Sequence, residues 1–113
     1  GDFLPQIERD WVYYWREYYR GLYVDALVRL AESCELRADY AGAIRLYEKA
    51  IEIEPFTEKL YRQVMLSWAR LGRRDMIKIT YEKLQTRLQN GIQMAPSRDT
   101  QNFYHSLNDG FNA

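Results

Sequence analysis

The chain has 113 residues, which is enough for one domain with a single core and too few for two. Its hydrophobic fraction of 47% argues against disorder, and no apolar run approaches the roughly 20 residues needed to cross a bilayer. Sixteen basic residues balance sixteen acidic ones, whereas a domain that mainly binds nucleic acid usually has a basic excess. We therefore expect no direct DNA binding by these residues.

The residue types that catalysis usually requires are scarce in this sequence. Its one histidine, His105, and its one cysteine, Cys34, fall in unrelated helical patterns, and no CxxC, HExxH or Gly-rich phosphate loop occurs. We therefore expect no enzyme, no cofactor and no metal site. A single cysteine cannot form an internal disulfide and no secretory leader is present, so the expected location is the cytoplasm.

The first predicted helix opens at Leu4-Pro5-Gln6, because proline suits the first helical turn. It carries two apolar stripes, with Gly21 as a candidate bend between them. The first stripe has i, i+3, i+4, i+7 spacing and is mostly aromatic: Trp11, Tyr14, Trp15, Tyr18 and Leu22. The second is centred on a different side of the helix: Tyr23, Val24, Leu27, Leu30, Ala31 and Cys34.

A helix with two stripes must pack against two different surfaces. In one interpretation, its N-terminal half meets the C-terminal segment of the same chain. In the other, the aromatic half docks on a neighbouring domain or a second chain, because aromatic side chains dominate interfaces as well as cores. The candidate interface, here called the aromatic surface, consists of Trp11, Tyr14, Trp15, Tyr18 and Tyr19.

Local signals predict the bounds of the second and third helices. Asp39 is a predicted N-cap, and the second helix ends at Glu54-Pro55 because a proline disfavours helical dihedrals in the residue before it. Thr57 is the predicted cap of a third helix, which ends at Gly72, a common left-handed terminator.

Two further helices follow from the same kind of signal. A fourth helix is predicted from about Arg74 to the pair Asn90-Gly91, which often closes helices. Ser97 is a predicted cap for a short last helix over 97–107, and we expect the tail 108–113 to be frayed.

The middle of the chain contains an internal repeat. A shift of 34 residues, the tetratricopeptide period, lays Tyr47-Glu48-Lys49 on Tyr81-Glu82-Lys83 and puts Leu84 where the first copy has the small Ala50. We therefore predict an all-α, tetratricopeptide-like α-α superhelix of two helix hairpins with capping helices at both ends. Its predicted divisions are an aromatic capping half of helix 1 over 1–23, repeat 1 over 24–55, repeat 2 over 58–90 and a C-terminal helix over 97–107.

Four segments in a fixed order carry a resemblance to a known family. They are Gly1-Asp2-Phe3-Leu4-Pro5; Asp39-Tyr40 through Tyr47-Glu48-Lys49-Ala50 to Pro55; Leu71-Gly72-Arg73-Arg74 with Tyr81-Glu82-Lys83-Leu84; and Gly91-Ile92 with Pro96-Ser97 to Tyr104. Together they resemble the bacterial transcriptional activator domain of SARP-type regulators over nearly the whole chain. The sequence departs from the family pattern at Ile77, where alanine is usual, and in a longer connector before Pro96.

The resemblance implies the C-terminal regulatory region of a cytoplasmic transcription regulator. In such proteins a winged helix-turn-helix domain, absent from this sequence, precedes the region and binds DNA, so contact with DNA would be indirect. The resemblance implies no catalytic residues. The implied partner is a protein: the regulator's own DNA-binding domain, a second chain in a homodimer, or the transcription machinery.

Two surfaces of the predicted hairpins are candidate binding sites. The first helix of each stacked hairpin lines the concave face, so its outward positions predict a partner-binding groove. The predicted groove residues are Asp25, Val28, Glu32, Lys59, Arg62, Leu66 and Arg70. Such a groove would suit a peptide or a helix, although charges on repeat helices are often merely solvated.

The second candidate is a basic patch around the Gly72 turn, formed by Arg70, Arg73, Arg74 and Lys78. It would suit DNA phosphates in a longer protein or an acidic partner. The helix dipole accounts for Arg70 at the end of a helix, but it disfavours the other three at the start of the next one.

Two functions from different classes remain open at this point. One is a protein-interaction and dimerisation domain of a regulator, or a general tetratricopeptide module. The other is a small-ligand sensor, in which Tyr, Trp and Arg side chains cradle a planar anionic ligand such as a nucleotide.

Overall fold

The chain folds into five helices over residues 4–112, the range that the computed structural model describes; side-chain surroundings are described for residues 9–110. No strand occurs between residues 4 and 112, so the predicted all-α fold class is confirmed. The helices are α1 (Leu4–Leu36), α2 (Tyr40–Ile53), α3 (Glu58–Arg70), α4 (Arg74–Ile92) and α5 (Arg98–Asn112). Gly1-Asp2-Phe3 of the family resemblance and Ala113 lie outside the described residues.

Successive helices pair as hairpins, and the two hairpins show the predicted period. α1 packs on α2, α2 on α3 and α3 on α4, while α5 packs on α3 and α4. The ends of α1 and α3, at Leu36 and Arg70, are one 34-residue period apart. The turns also correspond, since Ala38 and Gly72 both adopt left-handed conformations, with φ of 59° and 73°.

Two buried clusters hold the helices together. The larger one joins α1 to α4 around Tyr47 and Tyr61, which are 2% and 0% exposed. The smaller one consists of Met65, Ile77 and Tyr81, and α5 packs against it. Tyr47 and Tyr81, the aromatic residues of the repeated triplet, therefore have matching roles in the two cores.

Several helix ends follow the sequence predictions. Asp39 caps α2, because its Oδ1 accepts a hydrogen bond from the Gly42 amide at 3.0 Å. α2 ends at Ile53, two residues before Pro55. Thr57 stands at the N-cap position of α3, but its side chain makes no cap hydrogen bond there. Its hydroxyl donates to the Glu54 carboxylate at 3.2 Å instead.

The predicted end of α4 at Asn90-Gly91 is wrong. α4 continues to Ile92, and the left-handed residue that terminates it is Gln93, with φ of 53°. Gly91 has a packing role, since a Cβ atom on it would overlap the ring of Phe56. The glycine thus admits a close approach within the helix and does not end it.

The predicted frayed tail is also wrong for residues 108–112, because α5 continues to Asn112. Ser97 caps this helix as predicted, and its Oγ accepts a hydrogen bond from the Thr100 amide at 3.3 Å. The helix persists because its apolar face packs on the smaller cluster, where Tyr104 stacks on Tyr81 with ring centroids 4.0 Å apart.

The second stripe of α1 is only partly buried. Val24, Leu27, Ala31 and Cys34 lie in the core as predicted, whereas Tyr23 and Leu30 are 53% and 56% exposed. Leu30 lies about 100° around the helix from Ala31, which turns it away from α2. α1 runs without interruption through Gly21. None of the described helices is apolar over a stretch long enough to span a bilayer.

Candidate functional site

The aromatic surface on α1 is exposed to solvent. α2 has 14 residues against the 33 of α1, so it covers only the C-terminal part of its partner. At the boundary between the covered and uncovered parts of α1, Arg20 Nη2 donates a hydrogen bond to the Ile53 carbonyl at 2.8 Å, where α2 ends. α5 packs on α3 and α4. The interpretation in which the C-terminal segment covers the aromatic half of α1 is therefore wrong.

Trp15 is the centre of the aromatic surface. Its ring lies within 6.4 Å, centroid to centroid, of the other four rings of the surface. It stacks on Tyr19 at 5.8 Å and meets Tyr18 edge to face at 5.8 Å. Trp15 is nevertheless 41% exposed, and its four neighbours are exposed more. The rings thus form a continuous apolar patch of the kind that marks interaction sites.

The predicted groove residues lie around two adjoining depressions. The first, of about 480 Å³, is lined by Asp25, Val28, Glu32 and Lys59 among others. The second, of about 460 Å³, contains Glu32, Leu66 and Arg70. Glu32 lines both, so the two depressions adjoin along α1 and α3; together they are here called the groove, and six of the seven predicted residues border it.

Arg62 is the predicted groove residue that does not line either depression. Its Nη1 donates to Thr100 Oγ1 at 2.7 Å, and Thr100 is fully buried at the start of α5. Glu58 accepts hydrogen bonds at the same junction from the amide and hydroxyl of Ser97, at 3.0 and 3.2 Å. Arg62 therefore contributes to the attachment of α5, a role that helical spacing alone does not reveal.

The groove also contains residues that the sequence analysis missed. Glu35 borders both depressions, and Glu54 borders the first. Glu35 follows Val28 and Glu32 at helical spacing, so the face of α1 carried a usable signal. Glu54 lies after the end of α2, and only the path of the chain brings it to the groove.

Tyr47 forms part of the floor of the groove, and its ionisation is disfavoured. Burial raises the pKa of the Tyr47 phenol above its ordinary value of about 10, and the neighbouring Glu35 carboxylate and the charge of Glu32 raise this pKa further. Burial also raises the pKa of Tyr81, with smaller contributions from Tyr104 and Glu58. Both phenols are therefore neutral across the physiological pH range.

We expect the protein to lose stability in alkaline solution because of these tyrosines. A phenol whose pKa is raised by folding stabilises the native state fully below the unfolded pKa, about 10, and loses that contribution as the pH rises toward the folded pKa. The urea midpoint of unfolding is expected to fall from about pH 9 to about pH 11, and to fall less in Tyr47→Phe. An equal fall in Tyr47→Phe and wild type would contradict the role given to Tyr47.

Two of the four cations of the basic patch are paired with carboxylates. Arg73 makes two hydrogen bonds with the Asp75 carboxylate, at 3.1 and 3.0 Å, which raises the pKa of Arg73 and lowers that of Asp75. Lys78 lies 3.9 Å from the carboxylate of Glu82. Arg74 makes no ion pair with any side chain in the described part of the chain. Asp75 also places negative charge in the first turn of α4, where the helix dipole favours it.

Two cationic side chains of the patch also lie over aromatic rings. The Arg70 Cζ lies 5.7 Å from the ring centroid of Tyr40, and the Arg73 Cζ lies 5.6 Å from that of Trp68. The patch thus offers less free positive charge than its sequence indicates.

His105 lies exposed on α5, and Cys34 is buried in the core between α1 and α2.

A comparison with protein families places this helical domain. The model of the family described as the bacterial transcriptional activator domain matches residues 1–108. The comparisons with curated proteins and with solved structures found no significant match. The family match covers nearly the whole chain and agrees with the stacked helix hairpins. The chain therefore belongs to the family of bacterial transcriptional activator domains.

Proposed function

We propose that this domain is the protein-interaction part of a cytoplasmic bacterial transcription regulator and that its aromatic surface is where a protein docks. The proposal follows the family resemblance in placing the domain behind a DNA-binding winged helix-turn-helix domain. It assigns the domain no catalytic step. The observation that carries it is the exposure of five aromatic side chains on one half of α1.

The surface area of the chain supports a missing partner. Its accessible surface is 7869 Å² for a mass of 13.6 kDa. A compact monomer of this mass exposes about 6,600 Å² by the usual scaling. The excess is comparable to the roughly 800 Å² that each partner buries in a standard interface. Extents of 67 × 34 × 18 Å show that the chain is elongated along one direction.

The chemistry of the surface suits a protein. Tryptophan and tyrosine are enriched among the residues that contribute most to binding energy, because they bury a large area at a low cost in conformational entropy. The aromatic surface is flanked by both signs of charge, with Glu17 and Arg20 paired at 3.2 Å. An apolar centre with a polar rim is the usual anatomy of an interface. The partner is a second copy of the domain or the regulator's own DNA-binding domain.

We expect Trp15→Ala to remove the interaction, because Trp15 contacts the other four rings of the surface. The measurement is sedimentation equilibrium of wild type and variant over a wide concentration range. Dimerisation is expected to weaken by about 30-fold or more, as for an interface hot spot. Tyr13→Ala is the matched control, since Tyr13 is 67% exposed on the same half of α1 but points away from Trp15.

A wild type that stays monomeric would point to the DNA-binding domain as the partner. Hydrogen exchange of residues 11–23 in the full-length regulator would then be slower than in the isolated domain, and Trp15→Ala would reverse the difference. Monomers together with equal exchange in both proteins would contradict the proposed docking surface.

The alternative of a sensor for a planar anionic ligand has less support. Arg70 and Tyr40 border the second depression, but the carboxylates of Glu32 and Glu35 border it as well. Negative charge on the lining disfavours an anion. A rise in the melting temperature with ATP or another nucleotide would support the sensor function, since a ligand that binds only the native state raises that temperature.

A further inference from the structure

The groove between α1 and α3 is acidic and is separate from the aromatic surface. Its two depressions adjoin, because Glu32 and Glu35 border both. Four carboxylates and two cations line it: Asp25, Glu32, Glu35, Glu54, Lys59 and Arg70. One of the two cations, Arg70, is directed at the ring of Tyr40. The groove therefore presents a net negative charge to whatever enters it.

The groove also has apolar walls. Val24 and Leu60 are buried, with 5% and 4% of their surface exposed, and Val28 is half-buried. The first depression is lined by these residues together with the acidic ones. A ligand with both apolar and cationic side chains would match this lining, whereas a nucleic acid, whose backbone is anionic, would be repelled.

Glu35 has no cationic partner in the described part of the chain. Its Oε1 is buried, and its carboxylate lies beside the neutral phenol of Tyr47. Burying a carboxylate oxygen without a compensating positive charge is costly. Lys59, on the opposite wall of the groove, makes no ion pair within the described range of the chain. A cation placed against Glu35 would supply the charge that the domain itself does not.

We propose that this groove binds a basic segment of a protein partner, with an arginine or lysine side chain placed between Glu32 and Glu35 and an apolar side chain against Val28. The inference rests on the proposed function only in taking the partner to be a protein. It adds a second contact surface to the domain and specifies the chemistry of what binds there.

Fluorescence anisotropy with a labelled amphipathic peptide tests the inference. The probe carries arginine and leucine at helical spacing on one face, and a second probe has glutamate in place of every arginine. The 113-residue chain is expected to bind the arginine peptide in preference to the glutamate peptide. Binding is expected to weaken as NaCl is raised, because salt screens exposed charges.

Variants locate the binding site. The double variant Glu32→Gln/Glu35→Gln is expected to weaken arginine-peptide binding by about tenfold or more, because it removes both carboxylates beside the cation. Glu48→Gln, on an exposed part of α2, makes the same kind of change outside the groove and is expected to alter affinity by less than about twofold. Lys59→Glu is expected to strengthen binding by about threefold, a gain that an unfolded variant cannot imitate.

Three results would overturn the inference. They are equal binding of the two peptides, equal weakening by Glu48→Gln and by the groove variant, and no gain with Lys59→Glu. Trp15→Ala separates this inference from the proposed function. If that variant loses its partner while the arginine peptide fails to bind the groove, only the inference about the groove is wrong.

Discussion

Replacing Leu84 with alanine is expected to lower the free energy of unfolding by about 2–5 kcal/mol. Leu84 is fully buried on α4, in the cluster that also contains Leu60 and Tyr61. Alanine would leave a cavity that the surrounding helices fill only in part. The internal repeat suggests the opposite, because the equivalent position of the first hairpin is the small Ala50. Packing in the second hairpin decides the outcome, since its core is built around the larger side chain.

Urea unfolding followed by circular dichroism measures this effect. Ile79→Ala is the matched control, because Ile79 is on the same helix and is 53% exposed. Its expected cost is below about 0.5 kcal/mol. A Leu84→Ala variant as stable as wild type would show that the second hairpin accepts the small residue of the first, and the described core would then be wrong.

Tyr61→Phe is expected to lower the free energy of unfolding by about 1–3 kcal/mol, although it removes a single oxygen atom. The Tyr61 hydroxyl donates to the Pro55 carbonyl at 2.7 Å and accepts from Arg87 Nη1 at 3.1 Å. It therefore connects α3 to the α2–α3 turn and to α4. Phenylalanine fits the space but leaves the carbonyl and the guanidinium without this partner.

A double-mutant cycle with Arg87→Met isolates the second hydrogen bond. The two substitutions are expected to be non-additive by about 0.5–3 kcal/mol, because each removes the same contact. Tyr23→Phe is the control, since Tyr23 is 53% exposed and no hydrogen bond from its hydroxyl is found in the described structure. Simple additivity would mean that Arg87 and Tyr61 do not interact in solution.

The helix ends that were predicted well are those where the signal lies within one turn. Asp39 caps α2 through its own side chain, and Gly72 takes the left-handed conformation after α3. The prediction for Gly91 failed because a glycine has more than one possible role. Its close contact with Phe56 depends on a residue 35 positions away, on the far side of α3. Local sequence carries no information about such a contact.

The candidate surfaces were predicted less completely than the fold. Helical spacing predicted Val28 and Glu32 on one face of α1, and both line the first depression, since period and handedness fix which residues share a face. It could not show that Arg62 turns to Thr100, because that contact requires α5 to begin beside the first turns of α3. Two cations of the basic patch have carboxylate partners for a local reason, since Asp75 lies two residues after Arg73 and pairs with it at the start of α4, and Glu82 lies one turn after Lys78.

The sequence by itself determined that this protein is a row of paired helices with a 34-residue period, because periodicity, caps and proline act over distances of a few residues. It also showed that α1 has two apolar stripes, which predicts two different packing surfaces. Only the tertiary structure decided that the second stripe packs against α2 and the core. It also decided that α5 packs on α3 and α4, which leaves the aromatic surface exposed. The physical reason is that an apolar stripe favours burial without specifying the partner. That choice depends on where the other helices end and on the path of the chain between them.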